Sequence, residues 1–304
     1  MAGSVYNKPW LSIEGQIRKL KSNGLEVSDE KAARLFLRHL NYYRFSGYGL
    51  AFETSRHQYR AGTTFEHVKA AYEFDRSLRD LVYESMEVIE LDVRTTVAYH
   101  FGEIYGPFGH TDAKSFFGRF DHSAWLEGLR LEARRSRERF VSHFEKTYRE
   151  YPDLPIWVAT EVMSFGAVSR MISGMHKADI KKVSYRYGMQ PATFVSCLHH
   201  LVYVRNICAH HARLWDRKWS ILPNLPAGRN WSRPLLPKND RLFSSLLLQI
   251  VLLNRCAAER LFAKKWKRRV EALILGSLPR CSNPLEKMGL TTDWYKHPLW
   301  ESKE

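Results

Sequence analysis

The chain has 304 residues, 44% of them apolar, and 47 Lys and Arg stand against 32 Asp and Glu, giving a formal charge of +15 and a sequence pI near 9.7. That length and apolar content are enough to bury a core, which excludes a disordered or low-complexity chain. Arginine supplies 29 of the 47 cations, and its planar fork suits bidentate phosphate contacts, so the charge points to a nucleic-acid partner more than to a merely solvated surface.

The four cysteines, Cys197, Cys208, Cys256 and Cys281, contain no C-x-x-C pair and follow no secretory leader. The expectation is reduced thiols in a cytoplasmic protein. The longest apolar run, Leu246 to Leu253, is interrupted by Gln249 and is far shorter than the roughly 18 residues of a membrane span, so no transmembrane segment and no membrane partner are expected.

Read in chain order, the pattern is helix after helix. Ser12 caps a first helix to about Asn23, with Ile13, Ile17 and Leu20 on one stripe and Gly24 stopping it. Ser28-Asp29-Glu30-Lys31 starts a second, with Ala32, Leu35, Phe36 and Leu40 at helical spacing, and Gly47 and Gly49 break the pattern after Asn41-Tyr42-Tyr43-Arg44. From about Thr64 to Ile104 a period near 3.6 persists through Val68, Tyr72, Leu78, Leu81, Val82, Met86, Ile89 and Val93, which predicts the longest helix. Gly106-Pro107-Phe108-Gly109 ends it.

A charged helix is expected from about His122 to Tyr148. Its arginines, Arg134 and Arg135 among them, alternate with Glu127, Glu132 and Glu138, so an ion-paired solvated face competes with an RNA-contact strip. Helices are expected over Ile156 to Met175, Ala178 to Tyr187, and from Pro191 to about Arg213, where the proline suits a first turn. The stretch from Ile221 to Asn239, with Pro223, Pro226, Pro234, Pro237 and Gly228, reads as an extended loop. A last helix spans Arg241 to about Leu275 and carries Lys264-Lys265-Trp266-Lys267-Arg268-Arg269, either a basic cluster with an aromatic able to stack on a base or a snorkelling helix end around a core tryptophan. No strand pattern or repeat stands out, and the fold class is all-α.

The segment Val204-Arg205-Asn206-Ile207-Cys208-Ala209-His210-His211-Ala212-Arg213-Leu214-Trp215 concentrates a fixed cation, an amide and two proton-exchanging rings. Cleavage of RNA by its own 2′-hydroxyl needs a group to take that proton, a group to protonate the leaving 5′-oxygen, and a cation for the phosphorane charge. Histidine suits either of the first two roles and Arg205 the third. Arginine and histidine recur at this spacing seven times in the chain, against about four expected by chance, so context and not spacing singles this pair out.

On an ideal helix Arg205 points about 140° from His210 and about 120° from His211, whereas Asn206 lies one turn before His210 and is placed to orient it. An irregular helix, a bent arginine stem, or a composite site across a dimer would each reconcile the angles. The competing reading is an ion-paired Arg205 with histidines that merely pack. A metal cluster of His199, His200, His210 and His211 is not expected, because eleven residues of helix separate His199 from His210 by roughly 16 Å, and zinc ligands lie about 2 Å from the ion. No metal and no cofactor are expected.

These residues resemble a family of bacterial abortive-infection proteins, the Abi proteins of the AbiD and AbiF type. The likeness runs through Lys8-Pro9-Trp10-Leu11-Ser12-Ile13-Glu14 and Gln16, Asn41 to Tyr48, Phe74-Asp75-Arg76-Leu78-Arg79, Ile89-Glu90-Val93-Arg94, Ala98-Tyr99-His100 with Gly106-Pro107, Arg205-Asn206 with Cys208-Ala209-His210-His211 and Arg213-Leu214-Trp215, and Met288-Gly289-Leu290, Trp294 and Leu299-Trp300. The family is similar to the HEPN ribonucleases, helical bundles marked by R-x4-6-H.

The resemblance implies a HEPN-like bundle with additional N-terminal helices and a long proline-containing loop. It divides into an N-terminal helical element (1–60), a helical domain carrying the motif (61–275) and a C-terminal tail (276–304). It further implies metal-independent endonucleolytic cleavage of RNA in phage defence, by a homodimer whose motifs meet, with a structured noncoding RNA as a regulator in some members. The commonest form of the motif carries over to Arg205, Asn206 and His210, and His211 satisfies the longer spacing. Arg94 and His100 form a second pair in a shared region. The rival from another class is a non-catalytic RNA-binding or partner-binding defence protein of the same fold.

Overall fold

The computed structural model describes residues 5–7, 9–256 and 261–301. Lys8 of the N-terminal resemblance, and residues 257–260 in the middle of the helix expected over 241–275, lie outside the described residues. The structure is about 64% helical, and the described residues form thirteen α-helices and one two-stranded antiparallel sheet, so the all-α class holds. Two compact units are present: Met1–Leu78 with Ala272–Pro284, and Arg79–Glu271 with Leu285–Glu304.

In the first unit, α1 (Ile13–Ser22) begins at Ser12, whose Oγ accepts the Gly15 N–H at 3.1 Å, and α2 (Glu30–His39) begins at Asp29, whose carboxylate accepts from Ala32. Gly24 adopts φ +87°, a left-handed conformation that lets the chain turn after α1. Ile17, Leu20, Ala33 and Leu37 form the buried stripes; Ala32 and Leu35, expected on the stripe of α2, are exposed, Leu35 on the side opposite the buried face. The breaker reading of Gly47 and Gly49 gives way to α3 (Tyr42–Gly49), capped by Asn41, and a short hairpin of β1 (Glu53–Ser55) and β2 (Gln58–Tyr59) follows where no strand was expected. Two- and three-residue strands are too short to show alternation. Phe36 packs edge-on against Phe45, Phe65 and Tyr72, and the Tyr48 hydroxyl donates to the buried carboxylate of Asp75 at 2.6 Å.

The long helix α4 spans Phe65–Tyr105, within one residue of expectation at each end. At its start Thr64 and His67 exchange reciprocal hydrogen bonds, His67 N–H to Thr64 Oγ1 and Thr64 N–H to His67 Nδ1, which satisfies two terminal donors as a capping box does.

In the second unit, the helix expected over 122–148 is two, α5 (His122–Arg135) and α6 (Arg139–Thr147). The break has a local cause: Ser136 Oγ accepts the Glu138 N–H, and the backbone at Ser136 is extended. Likewise the segment 156–175 divides into α7 (Ile156–Val162) and α8 (Phe165–Gly174), with extended Met163 between them and Ser164 capping α8. Then come α9 (Lys177–Arg186) and α10 (Pro191–Ala209), the latter packed on α8, α9 and α11 (Leu242–Cys256). After α12 (Phe262–Ser277) and α13 (Pro284–Lys287), buried Trp294 and Trp300 pack around Phe243 of α11. Among the described residues no helix is long and apolar enough to cross a membrane.

The proline-containing loop after α10 runs back along that helix. Ser220 N–H meets the Tyr203 hydroxyl, the Ile221 carbonyl meets His200 Nδ1 at 2.7 Å, and Asn224 N–H donates to Ser196 Oγ. His200 is fully buried and its Nε2 meets Ser245 Oγ on α11, so one ring joins loop, α10 and α11. Burial pushes its pKa down to about 4, and does the same to His110, whose ring nitrogens meet no hydrogen-bond partner among the described residues.

Both rings are therefore neutral in the fold, while the unfolded chain takes up protons below about pH 6.5. The unfolded state then binds more protons, and stability falls with pH. We expect stability to be constant above pH 7 and to drop between pH 6.5 and 4, by on the order of 3 kcal/mol per histidine, as read by denaturant unfolding at a series of pH values. A flat profile over that window would refute the assignment.

Candidate functional site

The motif lies where α10 stops. Val204, Ile207 and Cys208 are buried and hold the helix to the core, leaving Asn206 and His210 exposed on the opposite side. His210 is the C-cap, its N–H bonded to the Asn206 carbonyl. The Ala212 N–H then reaches the Ile207 carbonyl and the His211 N–H reaches the Cys208 carbonyl, the paired bonds of a Schellman turn.

His211 occupies the left-handed position of that turn, φ +53°, where glycine is usual and a side chain costs about 1 kcal/mol. Leu214 and Trp215 are fully buried immediately beyond it. The two histidines therefore sit on a short exposed bight held at both ends, and the ideal-helix angles expected between Arg205 and His211 do not apply, because the helix ends at Ala209.

Arg205 leans toward α4. Its side chain is 28% exposed, and its buried Nε faces Glu90 Oε2 at 3.5 Å. The guanidinium lies over the ring of Tyr83, 5.9 Å from its centroid, and its Nη1 is 3.4 Å from Asn206 Oδ1. With Tyr83, Met86, Glu87, Glu90 and Leu91 it lines a surface cavity of about 370 Å³. The lining carries one cation and two carboxylates, so an anion would be met by the outer nitrogens of Arg205, a cation already oriented from one edge and one face.

The second oxygen of Glu90 pairs with Arg94 one turn later on α4. Arg94 is 8% exposed and its Nη1 donates to the carbonyls of Thr160 and Met163. Those are carbonyls left open at the end of α7, and a cation there also suits the negative end of the helix dipole. His100 turns elsewhere, its Nε2 3.0 Å from Asp179 Oδ1, and Tyr105 donates to the other oxygen of that carboxylate. The structure thus does not bring Arg94 and His100 onto a common point. It instead brings Arg94 to Arg205 through Glu90.

Among the residues expected to contact RNA, Trp266 is 1% exposed and donates its indole N–H to the Leu81 carbonyl at 2.7 Å. It is a core residue and presents no face to a base. Lys267 is also buried, its ammonium bonded to the Trp300 carbonyl. Both face inward because they share the inner side of α12 with Ala263 and Val270. Lys265, Arg268 and Arg269 are exposed and Lys264 partly so, Arg269 being paired with Glu84. Arg134 and Arg135 are exposed at the end of α5, with Arg134 paired to Glu127. Among the described residues no group of three or more His, Cys, Asp or Glu is arranged to hold a metal ion.

Glu90 and Tyr83 were not legible as site residues. The four-residue spacing of Glu90 and Arg94 is that of a helical ion pair, a signal the sequence reading did not take up, and nothing in the order of residues shows that Arg205 joins it. The sequence profile of the family described as Abi-like protein matches residues 35–216, more than half of the chain and inclusive of every residue of this site. No curated protein and no solved structure matches the chain.

The burial of the two arginines separates their roles. Arg94→Ala leaves buried carbonyls without donors and is expected to lower stability by about 3 kcal/mol or more. Arg205→Ala leaves Glu90 paired with Arg94 and should cost less than about 1 kcal/mol. Denaturant midpoints of the two variants at pH 7.5 check the contrast, and equal losses would contradict it.

Proposed function

The chain belongs to the Abi-like protein family, and we propose that it is a HEPN-type endoribonuclease of the AbiD and AbiF kind, cleaving RNA without a metal. The family assignment supports an abortive-infection role in phage defence. The observation that carries the nuclease reading is the grouping of Arg205, Asn206, His210 and His211 at one end of α10, the histidines exposed and Arg205 oriented beside an open cavity.

In this reading Arg205 binds the scissile phosphate and offsets the charge that grows on it. One histidine, His210 or His211, takes the 2′-hydroxyl proton or returns one to the 5′-oxygen. Asn206 positions Arg205, whose Nη1 it faces. Because Arg205 leans toward α4 while the histidines lie on the bight beyond the helix, a homodimer that brings one copy's arginine to the other's histidine completes the site. The exposed Lys265, Arg268, Arg134 and Arg135 supply phosphate contacts along the RNA, and a structured RNA regulator suits the same surface. The protein acts in the cytoplasm, where those RNAs are found.

The ion pair of Arg205 with Glu90 is one that a purely structural arginine also makes, which favours a second reading: other exposed basic residues bind RNA and the motif does not cleave it. Incubating the protein with structured and single-stranded RNAs in EDTA, with end-group analysis, separates the two. Cleavage that persists in chelator, leaves 2′,3′-cyclic phosphate ends and drops by at least about a hundredfold in Arg205→Ala and His210→Ala is expected. Intact RNA that is bound equally by all three proteins would move the conclusion to the binding role.

A further inference from the structure

We infer that Glu90 is the positioning residue of Arg205: a bridging carboxylate, anchored from below by Arg94, that fixes which edge of the Arg205 guanidinium meets an RNA phosphate. This rests on the reading of Arg205 as the phosphate-binding residue.

A guanidinium carries five N–H groups in a rigid fork, so its aim is set by whichever edge is already held. Arg205 Nε is buried and makes no hydrogen bond, and the group it faces is Glu90 Oε2 at 3.5 Å. Tyr83 lies under the flat face. Restrained at the Nε edge and at one face, the guanidinium keeps its outer nitrogens for the cavity, apart from the 3.4 Å contact with Asn206.

Glu90 is itself held. Its side chain is 12% exposed, and its other oxygen is paired with Arg94, whose Nη1 is committed to the Thr160 and Met163 carbonyls. The chain of contacts runs from the end of α7 through Arg94 and Glu90 to Arg205, each link fixed by the one before it.

Charge gives the arrangement a second consequence. Glu90 is shared by two arginines and Glu87 also lines the cavity, so these four groups carry no net charge; with Arg94 sealed inside, the attraction for an anion is exerted by the outer nitrogens of Arg205 alone. Glu90 therefore weakens ground-state anion binding while it improves aim. Removing its charge should leave RNA bound at least as tightly and cleaved more slowly, a split that simple loss of structure does not produce.

The test uses the full-length protein. Glu90→Gln keeps one acceptor for Arg94 and turns a donor toward Arg205; Glu90→Asp keeps the charge and the pair with Arg94 but shortens the reach to Arg205. RNA affinity is measured by fluorescence anisotropy and cleavage by single-turnover rates at saturating RNA. For both variants we expect an unchanged or tighter Kd and a rate reduced by about tenfold or more.

In parallel, the arginine Nε–H signal of Arg205, identified by its loss in Arg205→Lys, is followed in protein labelled with ¹⁵N-arginine. Its protection in wild type should be lost in Glu90→Gln. Wild-type rate and affinity in both variants would overturn the inference while leaving the nuclease reading intact. If wild type cleaves no RNA, the nuclease reading fails, and the arginine signal decides separately: an Nε–H equally protected in Glu90→Gln shows that Glu90 does not hold Arg205.

Discussion

A 41-residue helix that passes through a protein core cannot be apolar on every side, and each polar group it buries must find a partner on a neighbouring element. The second half of α4 meets that constraint one turn after another. Ser85 bonds Gln249 of α11, Glu90 faces Arg205 of α10, and Asp92 receives Arg186 and Tyr187 at the end of α9. Arg94 binds carbonyls at the end of α7, Thr96 meets Tyr187, and His100 meets Asp179 of α9. Apolar burial by Val82, Met86, Ile89, Val93 and Val97 drives collapse onto α4, but it is not directional. The polar pairs are, and they set the rotation and register at which each helix meets it.

The candidate site is a product of that arrangement. Arg205 needed a partner because its Nε is buried, and the one it found had already been fixed by Arg94. An interaction that settles the packing of α10 on α4 thereby also orients the cation best suited to a phosphate. The histidines are governed by a different device. The Schellman turn ends the helix, Leu214 and Trp215 re-enter the core, and His210 and His211 are exposed on the turn before them. A left-handed histidine in place of glycine at such a turn carries a local cost.

The charge of the chain divides in the same way between structure and surface. Arg94 and Lys267 are buried and spent on carbonyls, Arg241 on Asp216, and Arg130 on Asp153, so a part of the arginine excess serves internal satisfaction. Exposed cations, among them Arg135 at the end of α5 and Lys265 and Arg268 on the outer side of α12, are the portion that can attract a polyanion.

Periodicity and capping chemistry are local properties, and they were legible from the residues alone. Ser12 and Asp29 marked helix starts, the 3.6-residue period marked α4 to within a residue at each end, Pro191 marked the first turn of α10, and the residues of the motif were adjacent in the chain. Breaks made by a single side-chain bond were not, as at Ser136, since a serine in a charged helix carries the same letter whether or not it competes for the backbone. Nor was the choice between the two readings of Trp266, a base-stacking aromatic or a core tryptophan, because it is flanked by Lys265 and Lys267 and its partner, the Leu81 carbonyl, is 185 residues away. The chemistry of Arg205, Asn206, His210 and His211 belongs to the sequence. That Arg205 meets Glu90 and Tyr83, and that the histidines stand clear of the helix, was decided by tertiary structure, because partners distant in the chain become neighbours only when burial forces each polar group to choose one.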